Sequence, residues 1–213
     1  MSVIKHKEQR VGIFIDAQNL YHSAKNLHQG RVNFENVLQD ALAGRQLVRA
    51  VAYVITTETG EEKSFFDALT KIGIETKTKD LQIFSSGSKK ADWDVGLAID
   101  AVKLAAKLDV VVLASGDGDF IPLVEYLKMN GCQVEVITFG KSASGKLKEV
   151  ADDFIDLDED PKRYVMGRGF DRRDRREYSK RDEGNAGTAP NEGKPSQDGG
   201  KMGGMRRVVR KLR

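Results

Sequence analysis

Three short segments carry acids at spacings that invite chemistry: Phe14-Ile15-Asp16-Ala17-Gln18-Asn19, Ala91-Asp92-Trp93-Asp94-Val95 and Ser115-Gly116-Asp117-Gly118-Asp119-Phe120. Asp16 and Asp117 each follow an apolar run rich in β-branched residues, so each is expected to end a buried strand. Asp94 is expected in the first turn of a long helix that leads into the strand ended by Asp117. Several carboxylates gathered at one end of a sheet repel one another unless a cation neutralises them. With no His or Cys cluster beside them, such hard oxygen ligands point to Mg²⁺ or Mn²⁺ rather than zinc. An ion of that kind polarises a phosphate, lowers the pKa of a bound water for in-line attack and stabilises the leaving oxygen. The chemistry in view is hydrolysis of a phosphodiester. Each acid also has a purely structural use: Asp16 as a turn acceptor, Asp92 or Asp94 as a helix cap or dipole partner, Asp119 as the cap of a helix beginning at Phe120.

Two rival chemistries fit the motifs less well. A haloacid-dehalogenase-type phosphatase wants a second Asp two residues after its nucleophile, and that position here is Gln18. Around Gly116 and Gly118 neither a dinucleotide nor a P-loop fingerprint can be read. Cys132 is the only cysteine, so no internal disulfide forms, and His6, His22 and His28 make no zinc grouping with it. It reads as a small buried residue at a strand start.

The elements that must position these acids alternate. Strand-like runs occur at Val11–Ile15, Leu47–Ile55, Asp109–Ala114 and Gln133–Phe139, with a weaker one near Gly73–Thr78. Between them lie helix-period patterns at Leu20–Asn26, Phe34–Ala43, Glu61–Ile72, Asp92–Leu108, Phe120–Asn130 and Ser144–Ala151, with Gly44, Gly73 and Gly131 at helix ends. This order predicts an α/β fold: a mainly parallel sheet of about five strands with helices on both faces. Ligands in such folds bind at the carboxyl ends of strands near the switch in strand order. Asp16, Asp94, Asp117 and Asp119 are therefore expected in one cleft.

Composition divides the chain. Residues 1–160 hold 19 basic and 25 acidic residues, a net of −6, whereas residues 161–213 hold 16 and 7, a net of +9. Aliphatic runs vanish in the second part, so the reading is one globular domain over 1–160 and a disordered basic tail over 161–213. A basic tail on an acidic domain fits a polyanionic partner, nucleic acid or an anionic membrane surface. Arg172, Arg173, Arg175 and Arg176, with Phe170 and Tyr178 nearby, are its candidate phosphate-contacting residues. No stretch approaches the roughly 20 apolar residues needed to span a bilayer, and no signal core precedes the first strand. A soluble, cytoplasmic protein is expected.

The runs VGIFIDAQNLY, KKADWDVGLAIDAV and VVVLASGDGDFIPLVEYLKMNGCQVEVITFG resemble, in order and spacing, the NYN domain of the LabA-like branch of PIN-like nucleases. The likeness runs from about Val11 to Leu157. It implies a Rossmann-like PIN sheet, a divalent metal and endoribonuclease activity. On the matching positions it implies Asp16, Asp94 and Asp117 as principal metal ligands, Asp119 as an outer ligand or water-orienting base, and Asn19 as the residue that fixes Asp16 or touches a phosphate. Asp100 matches a recurring family acid but points about a third of a turn away from Asp94. Trp93 is expected to pack against the domain rather than stack on a base.

Two further phosphate contacts are expected from position. Gly140-Lys141-Ser142-Ala143-Ser144 follows the last strand and would present Lys141, Ser142 and backbone N–H groups at a helix N-terminus, with N-capping by Ser142 or Ser144 as the structural alternative. Lys89 and Lys90 precede the acidic helix and serve equally as phosphate contacts or as a solvated loop. The function expected is metal-dependent cleavage of RNA. The alternatives are an RNA-binding regulatory adaptor with little turnover and, less well supported, a small-molecule phosphatase. A homo-oligomer is left open.

Overall fold

Alternate side chains of the run Val11–Ile15 face two separate cores, and that alternation organises the molecule. The computed structural model describes residues 3–56, 63–80, 82–83, 89–90 and 93–167. In chain order the elements are β1 (Arg10–Asp16), α1 (Ala17–His28), β2 (Arg31–Val32), α2 (Phe34–Leu42), β3 (Gln46–Thr56), α3 (Lys63–Lys71), β4 (Glu75–Asp80), β5 (Gln82–Ile83) and β6 (Lys89–Lys90). They continue with α4 (Asp94–Ala105), β7 (Val110–Ala114), a 3-10 turn at Gly118–Phe120 running into α5 (Ile121–Met129), β8 (Gln133–Thr138), α6 (Gly145–Val150), β9 (Asp153–Asp156), α7 (Pro161–Tyr164) and β10 (Val165–Met166).

The main sheet has six strands in the order β4, β3, β1, β7, β8, β9, and every neighbouring pair is parallel. The expectation of about five strands fell one short. The missed strand, β9, reads Asp-Phe-Ile-Asp and is half-buried throughout, so it carries neither an apolar run nor a clean alternation. Val11, Ile13 and Ile15 pack with Leu20 and Ala24 of α1, Val37 and Ala41 of α2 and Leu69 of α3. Phe14 packs on the opposite face with Leu97 and Ala101 of α4, Val124 and Leu127 of α5 and Leu147 of α6. Helices therefore cover both faces, as the sequence predicts. Gly44, Gly73 and Gly131 follow their helices at φ of +73°, +85° and +89°, the left-handed conformation that glycine adopts without a Cβ penalty.

Strand order reverses at β1, with β3 on one side and β7 on the other. Ile15 pairs with Ala114 and Asp16 with Tyr53, so the turns after β1 and β7 leave the sheet side by side at its carboxyl edge. Near the opposite edge the fully buried Arg45 guanidinium donates to both carboxylate oxygens of the fully buried Glu135, at 2.6 and 2.9 Å. It also donates to the carbonyls of Ala41 and Leu42. That pair ties the α2–β3 turn to β8 beneath the sheet.

The folded body does not stop at residue 160, where composition places the boundary. Tyr164 is buried, its hydroxyl donates to Asp40 at 2.6 Å, and Arg163 donates to both oxygens of the same carboxylate. Val165 pairs antiparallel with Val32. A Tyr and a Val in a charged stretch were too sparse a signal for this. Residues 168–213, with Arg172, Arg173, Arg175 and Arg176, lie outside the described residues, as does the side-chain placement of Lys89 and Lys90 on β6. Cys132 is buried immediately before β8, and burial pushes its thiol pKa up. Among the described residues no helix is long and apolar enough to cross a membrane.

Candidate functional site

Local sequence explains why the two turns meet. Asp16 ends β1 and caps α1: its Oδ1 accepts the backbone N–H of Asn19 at 3.0 Å. The structural and chemical readings of this acid therefore coexist, because capping occupies only one oxygen. Its Oδ2 accepts the Ser115 hydroxyl at 3.2 Å. Asn19 reaches back across the gap, its Oδ1 accepting the Gly116 N–H at 2.9 Å. Gly116 is itself confined, since a Cβ there would lie 3.0 Å from the Ala143 backbone. Asp117 caps the short 3-10 turn, its Oδ1 accepting the Asp119 N–H at 3.0 Å. The cap expected of Asp119 is thus made by Asp117.

A cavity of about 220 Å³ opens at this edge, lined by Asp16, Asn19, Asp94, Asp117, Gln18 and His22, with Tyr53, Ile55 and Trp93 forming its apolar side. Asp16, Asn19, Asp94 and Asp117 are thereby brought together from β1, α1, α4 and the β7 turn. Asp119 is exposed and does not line the cavity. Asp100 also lies outside it, where its Oδ2 accepts the Tyr53 hydroxyl at 2.8 Å and pairs with Lys77. Burial pushes the Asp100 carboxyl up, but its bonds from Lys77 and Tyr53 outweigh this and hold it below the ordinary range. Trp93 both packs and lines the cavity: its indole N–H donates to the Val54 carbonyl at 3.2 Å, and its ring meets Tyr53 edge-on.

The loop after β8 serves a different purpose from the one expected. The Gly140 N–H donates to Asp156 and the Lys141 N–H to Asp158, each at 2.8 Å. Backbone donors already aimed at carboxylates do not offer a phosphate site. The Ser142 hydroxyl donates to Ser23 at 2.8 Å, and Ser144 is the cap of α6. Neither Lys141 nor Ser142 lines the acidic cavity.

Electrostatics at the cavity centre on Asp16. Burial holds the Asp16 carboxyl above the ordinary carboxylate range, the charge of Asp117 adds to the shift, and the bonds from Asn19 and Ser115 oppose it. A cation would remove both penalties, and carboxylates from three elements match a hard divalent ion in kind. Lining one cavity is not yet a coordination set, however: among the described residues no group of three or more His, Cys, Asp or Glu is arranged to hold a metal ion. Gln18, where a phosphatase would place its second acid, brings only an amide.

Sequence reasoning missed His22 and Tyr53 as neighbours of the acids, and it gave Gln18 and Ser115, quoted within the acidic segments, no part in the cavity. Helical spacing was the usable signal for His22, three residues from Asn19 and so on the same face of α1. No local pattern marks Tyr53, which arrives through strand register, whereas Ser115 stands within the acidic motif itself and its role beside Asp16 depends on the pairing of β1 with β7.

Residues 10–158 match the model of the NYN domain. The chain is 28% identical over 162 residues to the Low amplitude and bright protein LabA of Synechococcus elongatus, covering 72% of this chain and 86% of that protein. Its fold is similar to the crystal structure of a protein of unknown function from Vibrio parahaemolyticus, with a TM-score of 0.69 and 28% identity. That likeness covers 77% of this chain and all of the other.

Proposed function

The chain belongs to the NYN domain family, and from that premise we propose that it is a divalent-metal-dependent endoribonuclease whose centre is the acidic cavity. The observation that carries this reading is the gathering of Asp16, Asp94 and Asp117 from three separate elements into one recess. A divalent cation, Mg²⁺ or Mn²⁺, would supply Lewis-acid polarisation of a phosphate and a lowered pKa for the attacking water. Asp16, Asp94 and Asp117 would hold it. The Asn19 backbone and Ser115 hydroxyl orient the Asp16 carboxylate, and the Asn19 side chain fixes the Gly116 turn that aims Asp117. Asp119, exposed beyond the cavity wall, keeps an outer role in orienting water or the incoming strand.

The test is incubation of the full chain with single-stranded RNA and DNA oligonucleotides, in Mn²⁺, Mg²⁺ or chelator, beside Asp117→Asn. RNA cleavage in either metal and none in chelator is expected, with Asp117→Asn slower by about 100-fold or more. Parent-like cleavage by a folded Asp117→Asn would overturn the metal-site assignment. One observation favours a second reading, an RNA-binding adaptor without turnover: no three ligating groups converge among the described residues. RNA binding with no cleavage in any metal is the outcome that reading requires.

A further inference from the structure

The acidic cavity has a neighbour of opposite character. Between α4 and β4, on the same face of the sheet, lies a recess of about 140 Å³ lined by Arg49, Lys77, Lys103 and Asp100 over a floor of Phe14 and Val51. Three cations and one carboxylate line it, where the first cavity has three carboxylates.

Two elements run through both recesses. Along β3, Tyr53 and Ile55 line the first cavity and Arg49 and Val51 the second. Along α4, Asp94 lines the first, and Asp100, Lys103 and Leu104 line the second. Tyr53 and Asp100, joined by their hydrogen bond, form the shared wall. Strand register sets Lys77 beside Tyr53 and Lys79 beside Ile55, and the Lys79 ammonium stands 5.7 Å from the centre of the Trp93 ring. Basic groups thus step down the groove from Trp93 to Lys103, over roughly 13 Å between Tyr53 and Arg49 at ~3.3 Å per strand residue.

Two of the cations, Arg49 and Lys77, have carboxylate partners, and those partnerships are open enough to be redirected. Arg49 is held by Glu75, with the two side chains 47% and 50% exposed, and Lys77 by Asp100, at 39% and 25%. Ion pairs this open to solvent are screened and contribute little to stability. A polyanion can therefore draw on Arg49 and Lys77 at little cost, and its phosphates repeat along the chain, so one at the acidic centre brings another within reach of the basic recess. Trp93, half-buried between the two, offers aromatic surface on which a base can stack.

We propose that the recess of Arg49, Lys77 and Lys103 is a phosphate subsite for single-stranded RNA that crosses Trp93 from the acidic cavity. This rests on reading that cavity as the RNA-processing centre. It places part of the RNA grip in the folded domain, apart from the basic tail.

The test uses the full chain in chelator, so that binding is measured without cleavage. Fluorescence anisotropy with labelled RNAs of about 4 to about 16 nucleotides is recorded across a salt series for the parent, Lys103→Glu, Lys77→Gln and Lys107→Glu. Lys107, exposed just beyond α4 and outside the recess, carries the same charge change as the Lys103 variant. Lys103→Glu and Lys77→Gln are expected to weaken the longer RNAs by about fivefold or more and to lower the salt slope by about 0.7 for each phosphate no longer neutralised, with Lys107→Glu close to the parent. Amine acylation of the parent, read by mass spectrometry, gives a check independent of variant folding: RNA should protect Lys77 and Lys103 but not Lys107. If the parent binds RNA while both recess variants keep its affinity and slope and Lys103 stays unprotected, the subsite is wrong and the acidic-centre reading stands. If the parent binds no RNA, in chelator or Mn²⁺, both are wrong.

Discussion

At the scale of single residues, Asp16 carries two burdens that are usually separated. It caps a helix, and it keeps a partly buried carboxyl close to another carboxylate. A carboxyl held above its ordinary range contributes stability that is complete below about pH 4, the unfolded value, and is lost as pH rises through the folded value. Asp16→Asn keeps the capping oxygen and removes the charge. Thermal melts in chelator should therefore find the variant at least as stable as the parent at neutral pH, with any gap closing toward pH 4. Adding Mn²⁺ should raise the Tm of the parent and leave that of Asp16→Asn nearly unmoved, since an ion that binds the folded state stabilises it only where its ligands remain. A variant less stable than the parent in chelator would show that capping geometry, not charge, dominates at this position.

At the scale of elements, the sheet is fastened at both edges by different means. The buried Arg45–Glu135 pair near the amino edge is costly to break from one side, because removing Arg45 leaves a buried carboxylate with only Gln133 and the rim ammonium of Lys5 for company. Urea unfolding of Arg45→Met should show a loss of about 3–5 kcal/mol, and Arg45→Met with Glu135→Leu should recover most of it. Equal losses in the single and double variants would mean that the packing of the arginine stem, rather than its charge, holds the turn. How far these elements could be read in advance varies for physical reasons. Long apolar strands such as Val110–Ala114 and helices ended by left-handed glycines were legible, because period and punctuation are local properties. The edge strand β9 was not legible, because an edge strand needs only half its surface covered and tolerates Asp at both ends. The acids of the cavity were legible as strand-end and first-turn residues. Tyr53 and the basic recess were not, because they depend on which strands lie beside β1.

At the scale of the whole molecule, the acidic first part and the basic tail divide at a point that only packing reveals. A chain ending at Gly167 keeps Tyr164 buried and Arg163 on Asp40, whereas one ending at Asp160 loses both. The chain ending at Asp160 should be less stable by about 2–4 kcal/mol in urea unfolding, the scale of a lost buried aromatic with its neighbours. Both truncations remove Arg172, Arg173, Arg175 and Arg176, so both should bind RNA with a flatter salt dependence than the full chain. An unchanged slope would assign the tail to another partner. The hydrogen bonds that join the two acidic turns, Ser115 to Asp16 and Gly116 to Asn19, span 99 and 97 residues of chain. Pairings so distant in sequence must wait for the intervening loop to close, which makes them late in folding. During synthesis, β1 and its helices emerge well before β7, and until β7 slots in beside β1 the chain holds Asp16 without Asp117. The acidic cavity thus comes into being only once β7 has joined β1, so under the proposed function a half-made chain could not yet act on RNA.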